Sequence, residues 1–383
     1  MSLTFASKLP QVGTTIFSVM SALAQQHQAV NLGQGFPDFD GDARLMDAVA
    51  QAMREGHNQY PPMPGHPWLR EAIADKTARL YGHRPDPVSE ITVTAGATQA
   101  LTTIILSCVQ RGDEVIILEP AYDSYQPAIE LAGGRCVRVP LGADFQVDLA
   151  RVASAITPKT RWIMVNTPHN PSGRVWHLAQ WQALAELILP HPIGLISDEV
   201  YEHMVYDGRR HVSAWELPVL RERAWIVSSF GKTYHVTGWK VGYVLAPAAW
   251  TAELRKVHQF NVFTVNTPMQ VGLARFMADP APHEGLSAFY QAKRDHLVAG
   301  LRGLPVEVLP CEGTYFLTVN YQQISDLPDD QFAIELTRKH GVAAIPLSAF
   351  GGVAPEARLI RLCFAKKDAT LDEALTRLRK AWT

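Results

Sequence analysis

Short runs of apolar, often β-branched residues recur along the chain, and turn residues or helix-patterned stretches follow each of them. The runs lie at residues 90–94, 114–118, 162–165, 193–197 and 224–228. Runs of this length predict buried strands, and their alternation with helical patterns predicts a mainly parallel sheet in an α/β fold. Ligands of such open sheets bind beyond the carboxyl ends of the strands, so functional residues are expected just after each run.

The pattern changes after about residue 280. A long polar helix-like stretch is followed there by apolar runs at 314–319 and 359–364, which predicts a smaller α+β domain. The first ~45 residues have too little hydrophobic periodicity to fold alone, and they are expected to join this domain. We therefore predict a large domain over residues 46–280 and a small domain formed by residues 1–45 and 281–383.

Composition limits the kinds of molecule that the chain is expected to bind. The 35 Lys and Arg nearly balance the 37 Asp and Glu, and a net charge of -2 offers no basic field for nucleic acid or an anionic membrane. No apolar run approaches the ~20 residues that a membrane helix needs. Four scattered cysteines without a C-x-x-C pair fit a reducing cytoplasm. A small-molecule partner is therefore expected.

Two strand ends carry turns that could bind a ligand. Between Thr94 and Ala100 the chain passes through Gly96 into a helix that opens with a hydroxyl residue. Free backbone N–H groups and the helix dipole make such a turn an anion site, although a plain strand-to-helix turn has the same sequence. Asn170 stands between Pro168 and Pro171 in a rigid loop, where a plain turn is again the default interpretation.

Two further strand ends deliver charged side chains. Asp198 directly follows an apolar run, and a buried carboxylate there needs a cationic or hydrogen-bonding partner. Lys232 follows another run among small residues. Most lysines only decorate the surface, but a lysine at the carboxyl end of a buried strand is a candidate amine nucleophile.

Taken together, these loops resemble those of the class I and II aminotransferases, which have the pyridoxal-phosphate fold called fold type I. Asn170, Asp198, Tyr201 and Lys232 occur in the chain order of that family. The spacings of 28 residues from Asn170 to Asp198 and 34 from Asp198 to Lys232 are also similar to it. Any one of these motifs is weak, but the set is specific.

The similarity spans nearly the whole chain, from residues 31–39 and 58–60 to Arg361. Residues 231–233 and 238–242 resemble the glutamine/kynurenine transaminase group and, within it, the bacterial methionine aminotransferases. The resemblance implies a mainly parallel seven-stranded sheet between helices, a smaller α+β domain and a role in amino-acid metabolism. It also implies a ping-pong cycle between pyridoxal and pyridoxamine phosphate, in which a 2-oxo acid accepts the amino group.

The resemblance also assigns roles around the cofactor. Lys232 would hold pyridoxal phosphate as a Schiff base and then carry the proton from the substrate Cα to the cofactor's C4′ carbon. Asp198 would pair with the pyridine nitrogen, so that the ring accepts electrons. Tyr201 and Asn170 would hydrogen-bond the phenolic oxygen. Tyr122 would stack on the ring, although a buried core tyrosine is the alternative.

For the phosphate, the family pattern nominates Ala97, Thr98, Ser229 and Lys240. Tyr60 would reach it from a second subunit, which implies a homodimer with shared active sites. Many family members have arginine at the position of Lys240 and serine at that of Gly231, so phosphate affinity could differ here. The transaminase group named above shares the lysine and the glycine, and we do not interpret them as loss of function.

The substrate is expected to be an apolar amino acid. Arg361 would bind its carboxylate through two parallel hydrogen bonds, and a surface salt bridge is a poor alternative inside an apolar strand. Gly35, Phe36, Phe17 and Tyr60 would form an apolar pocket for the side chain, although the two phenylalanines could equally be core residues. With no arginine placed for a second carboxylate, methionine or aromatic amino acids are the expected donors.

Other classes fit less well. Ser229 to Lys232 matches the S-x-x-K pattern of penicillin-binding hydrolases, but S-D-N and K-T-G do not follow in order. A P-loop would need glycine where Ile226 stands, and the 14 histidines show no H-E-x-x-H metal motif. A cofactor-binding sensor would need a DNA-binding module, for which no residues remain. A carbon–sulfur β-lyase on the same fold keeps every residue named and stays open.

Overall fold

The computed structural model describes residues 6–382. Its strands are β1 (Val30–Asn31), β2 (Ile91–Thr94), β3 (Glu114–Glu119), β4 (Arg135–Pro140), β5 (Thr160–Asn166), β6 (Gly194–Asp198), β7 (Ala224–Ser229), β8 (Gly242–Leu245), β9 (Glu307–Val308), β10 (Phe316–Asn320), β11 (Val342–Ala343), β12 (Ile345–Pro346) and β13 (Leu359–Cys363).

Its α-helices are α1 (Ile16–Gln26), α2 (Ala43–Arg54), α3 (Pro67–Tyr81), α4 (Gly96–Cys108), α5 (Tyr125–Leu131), α6 (Leu149–Ala155), α7 (Leu178–Ile188), α8 (Pro218–Arg221), α9 (Phe230–Thr233), α10 (Ala248–Asn261), α11 (Thr267–Phe276), α12 (Ala281–Glu284), α13 (Leu286–Leu301), α14 (Asp329–His340) and α15 (Asp368–Trp382). Short 3₁₀ helices lie at Ala214–Glu216, Thr237–Trp239, Leu347–Phe350 and Pro355–Ala357. None of the helices within residues 6–382 is long and apolar enough to cross a membrane.

Seven strands form the large sheet in the order β2-β8-β7-β6-β5-β3-β4. The neighbours from β7 to β4 are parallel, and β8 is antiparallel to both β2 and β7. This confirms the predicted mainly parallel α/β sheet. Each predicted run corresponds to one strand, and the ends of the two differ by no more than two residues. Strands β4 and β8 were not among the predicted runs. β4 is an edge strand whose residues are largely exposed, so its sequence lacks a buried apolar run.

Helices cover both faces of this sheet, because successive side chains of a strand point to opposite sides. In β3, Val115 and Ile117 pack with α4, α5 and α10 in one apolar cluster. Ile116 and Leu118 pack with α2, α3, α6, α7 and α11 in the other. Burying each such side chain contributes roughly 1.5–3 kcal/mol. The two-sided core therefore fixes the sheet, and with it the positions at which the strands end.

A second unit is built on the antiparallel sheet β12-β13-β10-β9. The amino-terminal part of the chain joins it, since β1 pairs in parallel with β11 and α1 packs on α14. Helices α13 and α15 share an apolar cluster with β10 and β13. The division into a large domain and a composite small domain, with boundaries near residues 45 and 280, stays a prediction.

A buried ion pair lies on the side of the sheet covered by α3. Lys76 Nζ is 2.7 Å from Glu202 Oε1, and the two side chains are 5% and 3% exposed. The Tyr243 hydroxyl accepts a hydrogen bond from Lys76 Nζ at 2.7 Å, and the Ser228 hydroxyl donates to Glu202. Because Glu202 lies in the turn that follows β6, the pair fixes that turn against α3.

Lys76→Met is expected to lower the free energy of unfolding by about 3–5 kcal/mol, because the Glu202 carboxylate would stay buried without its cation. Lys256→Met is the matched control, since its pair with Glu253 has the same 2.7 Å separation but exposed side chains. The control should cost less than about 1 kcal/mol. Urea unfolding of both variants measures the difference, and equal losses would contradict a special role for the buried pair.

Candidate active site

A cavity of about 410 Å³ opens where β2, β5, β6 and β7 end. Most of the site residues predicted from sequence line it: Ala97, Thr98, Tyr122, Asn170, Asp198, Tyr201, Ser229, Lys232, Lys240, Phe17, Gly35 and Arg361. The carboxyl edge of the sheet thus gathers residues that are up to several hundred positions apart in the chain. This is the edge at which ligands of open α/β sheets bind.

One end of the cavity is suited to an anion. Helix α4 begins at Gly96, whose φ is +78°, and no side chain caps the helix. Its first N–H groups and the positive end of the helix dipole are therefore available to an anion in the cavity. Lys240 lies against this turn, so that its Nζ is 3.4 Å from the point where a Cβ on Gly96 would stand. The hydroxyl residue Ser229 ends β7 in the same wall.

Asp198 provides a buried carboxylate deeper in the cavity. Its Oδ2 accepts a hydrogen bond from the Tyr125 hydroxyl at 2.6 Å, and its Oδ1 accepts one from the Val200 N–H at 3.3 Å. Burial raises the pKa of Asp198 to about 6, despite these two donors. The carboxylate is therefore ionised at neutral pH but poorly solvated, and it favours a positively charged group in the cavity.

Lys232 is carried by α9, immediately after β7. Its Nζ donates hydrogen bonds to the Tyr315 hydroxyl at 2.8 Å and to the carbonyl of Gly35 at 3.3 Å. Burial, together with the nearby charges of Arg361 and Lys240, lowers the pKa of the Lys232 amine to about 8. A neutral amine is thus accessible near physiological pH, which a nucleophile or a proton carrier requires.

Arg361 lies in β13 and is only 1% exposed. Its guanidinium carbon is 3.8 Å from the ring centre of Phe316 and 5.5 Å from that of Phe17. The two terminal nitrogens donate to Asn170 Oδ1 at 2.7 Å and to the Gly33 carbonyl at 2.9 Å. Nε has no hydrogen-bond partner among the described residues. Burial lowers the pKa of Arg361 to about 10, so the group stays charged with capacity for an anionic ligand.

The structure adds functional candidates that the sequence did not reveal. Tyr125 contacts Asp198, Tyr315 contacts Lys232, and Phe316 lies against Arg361. Tyr125 is three residues after the predicted stacking residue Tyr122, at the end of the turn that leads into α5, where its N–H donates to the Tyr122 carbonyl at 3.2 Å. The spacing from Tyr122 was the sequence feature that could have identified Tyr125. Tyr315 lay within a predicted strand, where nothing in the sequence distinguishes a cavity residue from a core residue.

Two predicted residues do not line the cavity of this chain. Phe36 is 47% exposed, and the amine of Lys366 lies 5.1 Å from the centre of its ring. Tyr60 is 80% exposed and contacts Phe263 edge to face at 5.2 Å. Tyr60 was predicted to act in the partner's site, which a single chain does not contain. Its role and that of Phe36 stay predictions. Across residues 6–382, no group of three or more His, Cys, Asp or Glu could hold a metal ion.

Comparison with known proteins identifies the class. The family model "Aminotransferase class I and II" matches residues 27–378. The chain therefore belongs to the class I and II aminotransferases. It is accordingly an aminotransferase that exchanges an amino group between amino acids and 2-oxo acids, and pyridoxal phosphate is its cofactor.

Individual relatives are similar over almost their whole length. Methionine aminotransferase from Escherichia coli is 56% identical over 376 residues, which cover 98% of this chain and 97% of that protein. The crystal structure of YbdL from the same organism, for which a methionine aminotransferase function was identified, superposes with a TM-score of 0.97 at 55% identity, covering 99% and 100% of the two chains. N-succinyldiaminopimelate aminotransferase from Mycobacterium tuberculosis gives a TM-score of 0.95 at 40% identity, with 99% and 100% covered.

The cavity fits this cofactor chemically. A phosphate suits the uncapped start of α4 beside Lys240, where the absence of a Cβ on Gly96 leaves room for the lysine amine. A protonated ring nitrogen suits the poorly solvated carboxylate of Asp198. An amine with a lowered pKa, that of Lys232, lies in the same cavity. Each charged or reactive part of the cofactor therefore has a complementary group.

Gly96→Ala is expected to weaken pyridoxal phosphate binding roughly tenfold, about the effect of one lost charge-assisted hydrogen bond. The new Cβ would lie 3.3 Å from Lys240 Cε, and φ at this position is positive. Titration of cofactor-free protein gives the affinity. Gly238→Ala is the control, because nothing lies within 4 Å of its added Cβ. Pyridoxal, which lacks the phosphate, should bind both variants with the same affinity. An unchanged affinity of Gly96→Ala for pyridoxal phosphate would refute the anion site.

Proposed function

We propose that this aminotransferase takes the amino group of methionine, and of aromatic or similar apolar amino acids, and passes it to a 2-oxo acid. The observation that carries the donor class is the lining of the cavity. Of the described residues, no arginine other than Arg361 lines it, and aromatic rings surround that one. Within the lining supplied by one chain, a second carboxylate would find no matching fork, whereas an apolar side chain would find apolar surface. The 56% identity to a methionine aminotransferase supports methionine among these donors.

The proposal assigns the cofactor-binding roles to the lining residues. Lys232 holds the cofactor covalently, and Asp198 pairs with its ring nitrogen. Tyr201 and Asn170 donate hydrogen bonds to its phenolic oxygen, and Tyr122 packs on its ring. In support, all five line one cavity. When bound, pyridoxal phosphate supplies an electrophilic carbonyl carbon and a protonated ring that withdraws electrons from the substrate's Cα.

The phosphate is assigned to the start of α4. Backbone N–H groups of Ala97 and Thr98 bind it there, with the hydroxyl of Ser229 and the amine of Lys240 on the other side. The uncapped helix end supports this assignment, because its N–H groups have no side-chain partner. Lys240 acts as a point charge rather than as a fork, so the backbone and Ser229 determine the orientation of the phosphate.

Lys232 moves the proton in this mechanism. With a pKa near 8, a fraction of the amine is neutral near physiological pH, and that form accepts a proton from the donor's Cα and can release it again. Asp198 stays ionised because its pKa of about 6 lies below neutrality, and a ring N–H beside it would lower that pKa further. In the loaded enzyme the carboxylate therefore becomes protonated only at a pH below about 6, and activity is expected to fall there because the ring nitrogen loses its partner.

Arg361 binds and orients the substrate carboxylate. Its guanidinium is already held by Asn170 and Gly33 on one side and packs on Phe316, so little side-chain freedom remains to be lost on binding. Gly35 and Phe17 form the adjoining wall of the pocket. Phe36 completes the pocket in the proposal, although it does not line the cavity in the single chain.

We also propose a homodimer in which Tyr60 reaches the phosphate of the partner's site. Tyr60 and Phe263 are exposed aromatic side chains, at 80% and 36%, that contact each other, and contiguous apolar surface of this kind commonly marks an interface. A reducing cytoplasm is the proposed compartment. It is supported by four cysteines that are all free, Cys108, Cys136, Cys311 and Cys363.

The donor is tested on purified protein with bound cofactor. Addition of L-methionine without any oxo acid should remove the visible absorption of the bound cofactor, and a 2-oxo acid should restore it. L-Aspartate is the matched donor and should act far more slowly, because it carries a second carboxylate. In Lys232→Ala neither change should occur. Bleaching by aspartate but not methionine would disprove the donor class, and a cycling Lys232→Ala variant would disprove the mechanism. Release of a thiol together with ammonia from a cysteine S-conjugate, which carries its sulfur on Cβ, would favour the β-lyase.

Arg361→Lys is expected to lower kcat/KM for methionine roughly 30-fold or more, chiefly through KM, because a point charge replaces the fork. Steady-state kinetics over a range of methionine concentrations measure the effect. The absorption of the bound cofactor serves as a check that the site is intact. Arg44→Lys, whose side chain is 62% exposed, is the control and should match the unaltered enzyme. An unchanged kcat/KM in Arg361→Lys would show that the carboxylate binds elsewhere.

A further inference from the structure

The side chain of Tyr315 is fully buried beneath the cavity, yet its hydroxyl is engaged on two sides. It donates a hydrogen bond to the Gly35 carbonyl at 2.6 Å, and it accepts one from Lys232 Nζ at 2.8 Å. Since the only hydroxyl hydrogen points to Gly35, the oxygen lone pairs face the lysine. Tyr315 is therefore an oriented acceptor for the amine.

Aromatic rings complete the surroundings of that amine. Lys232 Nζ is 5.5 Å from the ring centre of Tyr315 and 5.7 Å from that of Tyr201, and the two rings meet edge to face. The Gly35 carbonyl, 3.3 Å from Nζ, is a second acceptor. The two acceptors, together with the nearby Tyr201 ring, define a specific resting position, whereas a long lysine side chain in an open cavity would otherwise sample many rotamers.

We propose that Tyr315 is a positioning residue, which together with the Gly35 carbonyl holds the amine of Lys232 whenever that amine is not bonded to the cofactor. The inference deepens the proposed function and rests on the role of Lys232 given there. An acceptor stabilises the ammonium form more than the neutral amine, so Tyr315 opposes part of the effect of burial on the lysine. It thereby keeps the group both in place and able to accept a proton.

The same segment also contacts the carboxylate-binding side chain. Gly33, two residues before Gly35, accepts a hydrogen bond from Arg361, while Gly35 accepts one from Tyr315. A Cβ on Gly35 would lie 2.8 Å from Phe316 Cζ, so only glycine fits at this close approach. The position of the free lysine amine is thus set relative to the group that binds the substrate.

The test compares Tyr315→Phe with Tyr290→Phe. Tyr290 is a matched control, because it is equally buried, its ring lies 5.7 Å from that of Tyr315, and its hydroxyl has no hydrogen-bond partner among the described residues. The rate at which trace acetic anhydride acylates Lys232 in cofactor-free protein is followed against pH by peptide mass spectrometry. The midpoint reports the pKa of the free amine without any turnover.

The unaltered protein should give a midpoint near 8. Loss of the acceptor destabilises the ammonium, so Tyr315→Phe should lower the midpoint by about one pKa unit. In the loaded enzyme its single-turnover rate with methionine should fall roughly tenfold at little change in half-saturation. Tyr290→Phe should leave both values unchanged.

An unchanged midpoint in Tyr315→Phe, or an equal shift in Tyr290→Phe, would overturn the proposal. Neither result would touch the proposed function, which fails instead if Lys232→Ala completes the cycle. Because the acylation experiment uses no cofactor and no donor, its outcome does not depend on which amino acid the enzyme accepts. The two failures are therefore distinguishable.

Discussion

Removing a guanidinium from water costs several kcal/mol, and Arg361 is nevertheless buried in this structure. The side chain is almost fully enclosed, lies on an aromatic ring and has a hydrogen-bond partner for each terminal nitrogen. Those partners come from the loop after β5 and from the segment after β1. The small unit, the large sheet and the amino-terminal segment are thus joined at one charge. Any arrangement that failed to bring them together would leave that charge buried and unpaired.

The other buried ionisable groups of the cavity obey the same constraint. Hydrogen bonds from Tyr125 and a backbone N–H favour the ionised form of Asp198, and Lys232 donates to Tyr315 and Gly35. In each case the protein supplies fewer partners than the charge could use in water. Because each charge is incompletely solvated, a ligand of opposite charge binds it favourably. The same lack of solvation moves the pKa values of Asp198 and Lys232 toward neutrality.

The sequence predicted the parts of this architecture that rest on continuous local patterns. Strands β5 and β6 contain the mainly apolar runs 162–165 and 193–197. Asp198, which ends β6, and Asn170, which lies in the loop after β5, were recognised from their type and order. The edge strand β4 was missed because its exposed positions carry polar residues. Tyr315 was missed for another reason. A tyrosine in an apolar strand has the same pattern whether its hydroxyl is buried without a role or contacts a lysine from a distant loop, and only the tertiary fold decides which.

The segment between Gly33 and Gly35 engages the two charged groups through backbone carbonyls, not side chains. A carbonyl cannot be altered by ordinary substitution. The two carbonyls are two residues apart in one bend after β1, in which the N–H groups of Gly33 and Gln34 both donate to Asn31 Oδ1. The free energies of the contacts to Arg361 and to Tyr315 are consequently linked. If a carboxylate bound at Arg361 changes the free energy of the Lys232 contact, then forming or breaking that contact changes the binding free energy of the carboxylate by the same amount.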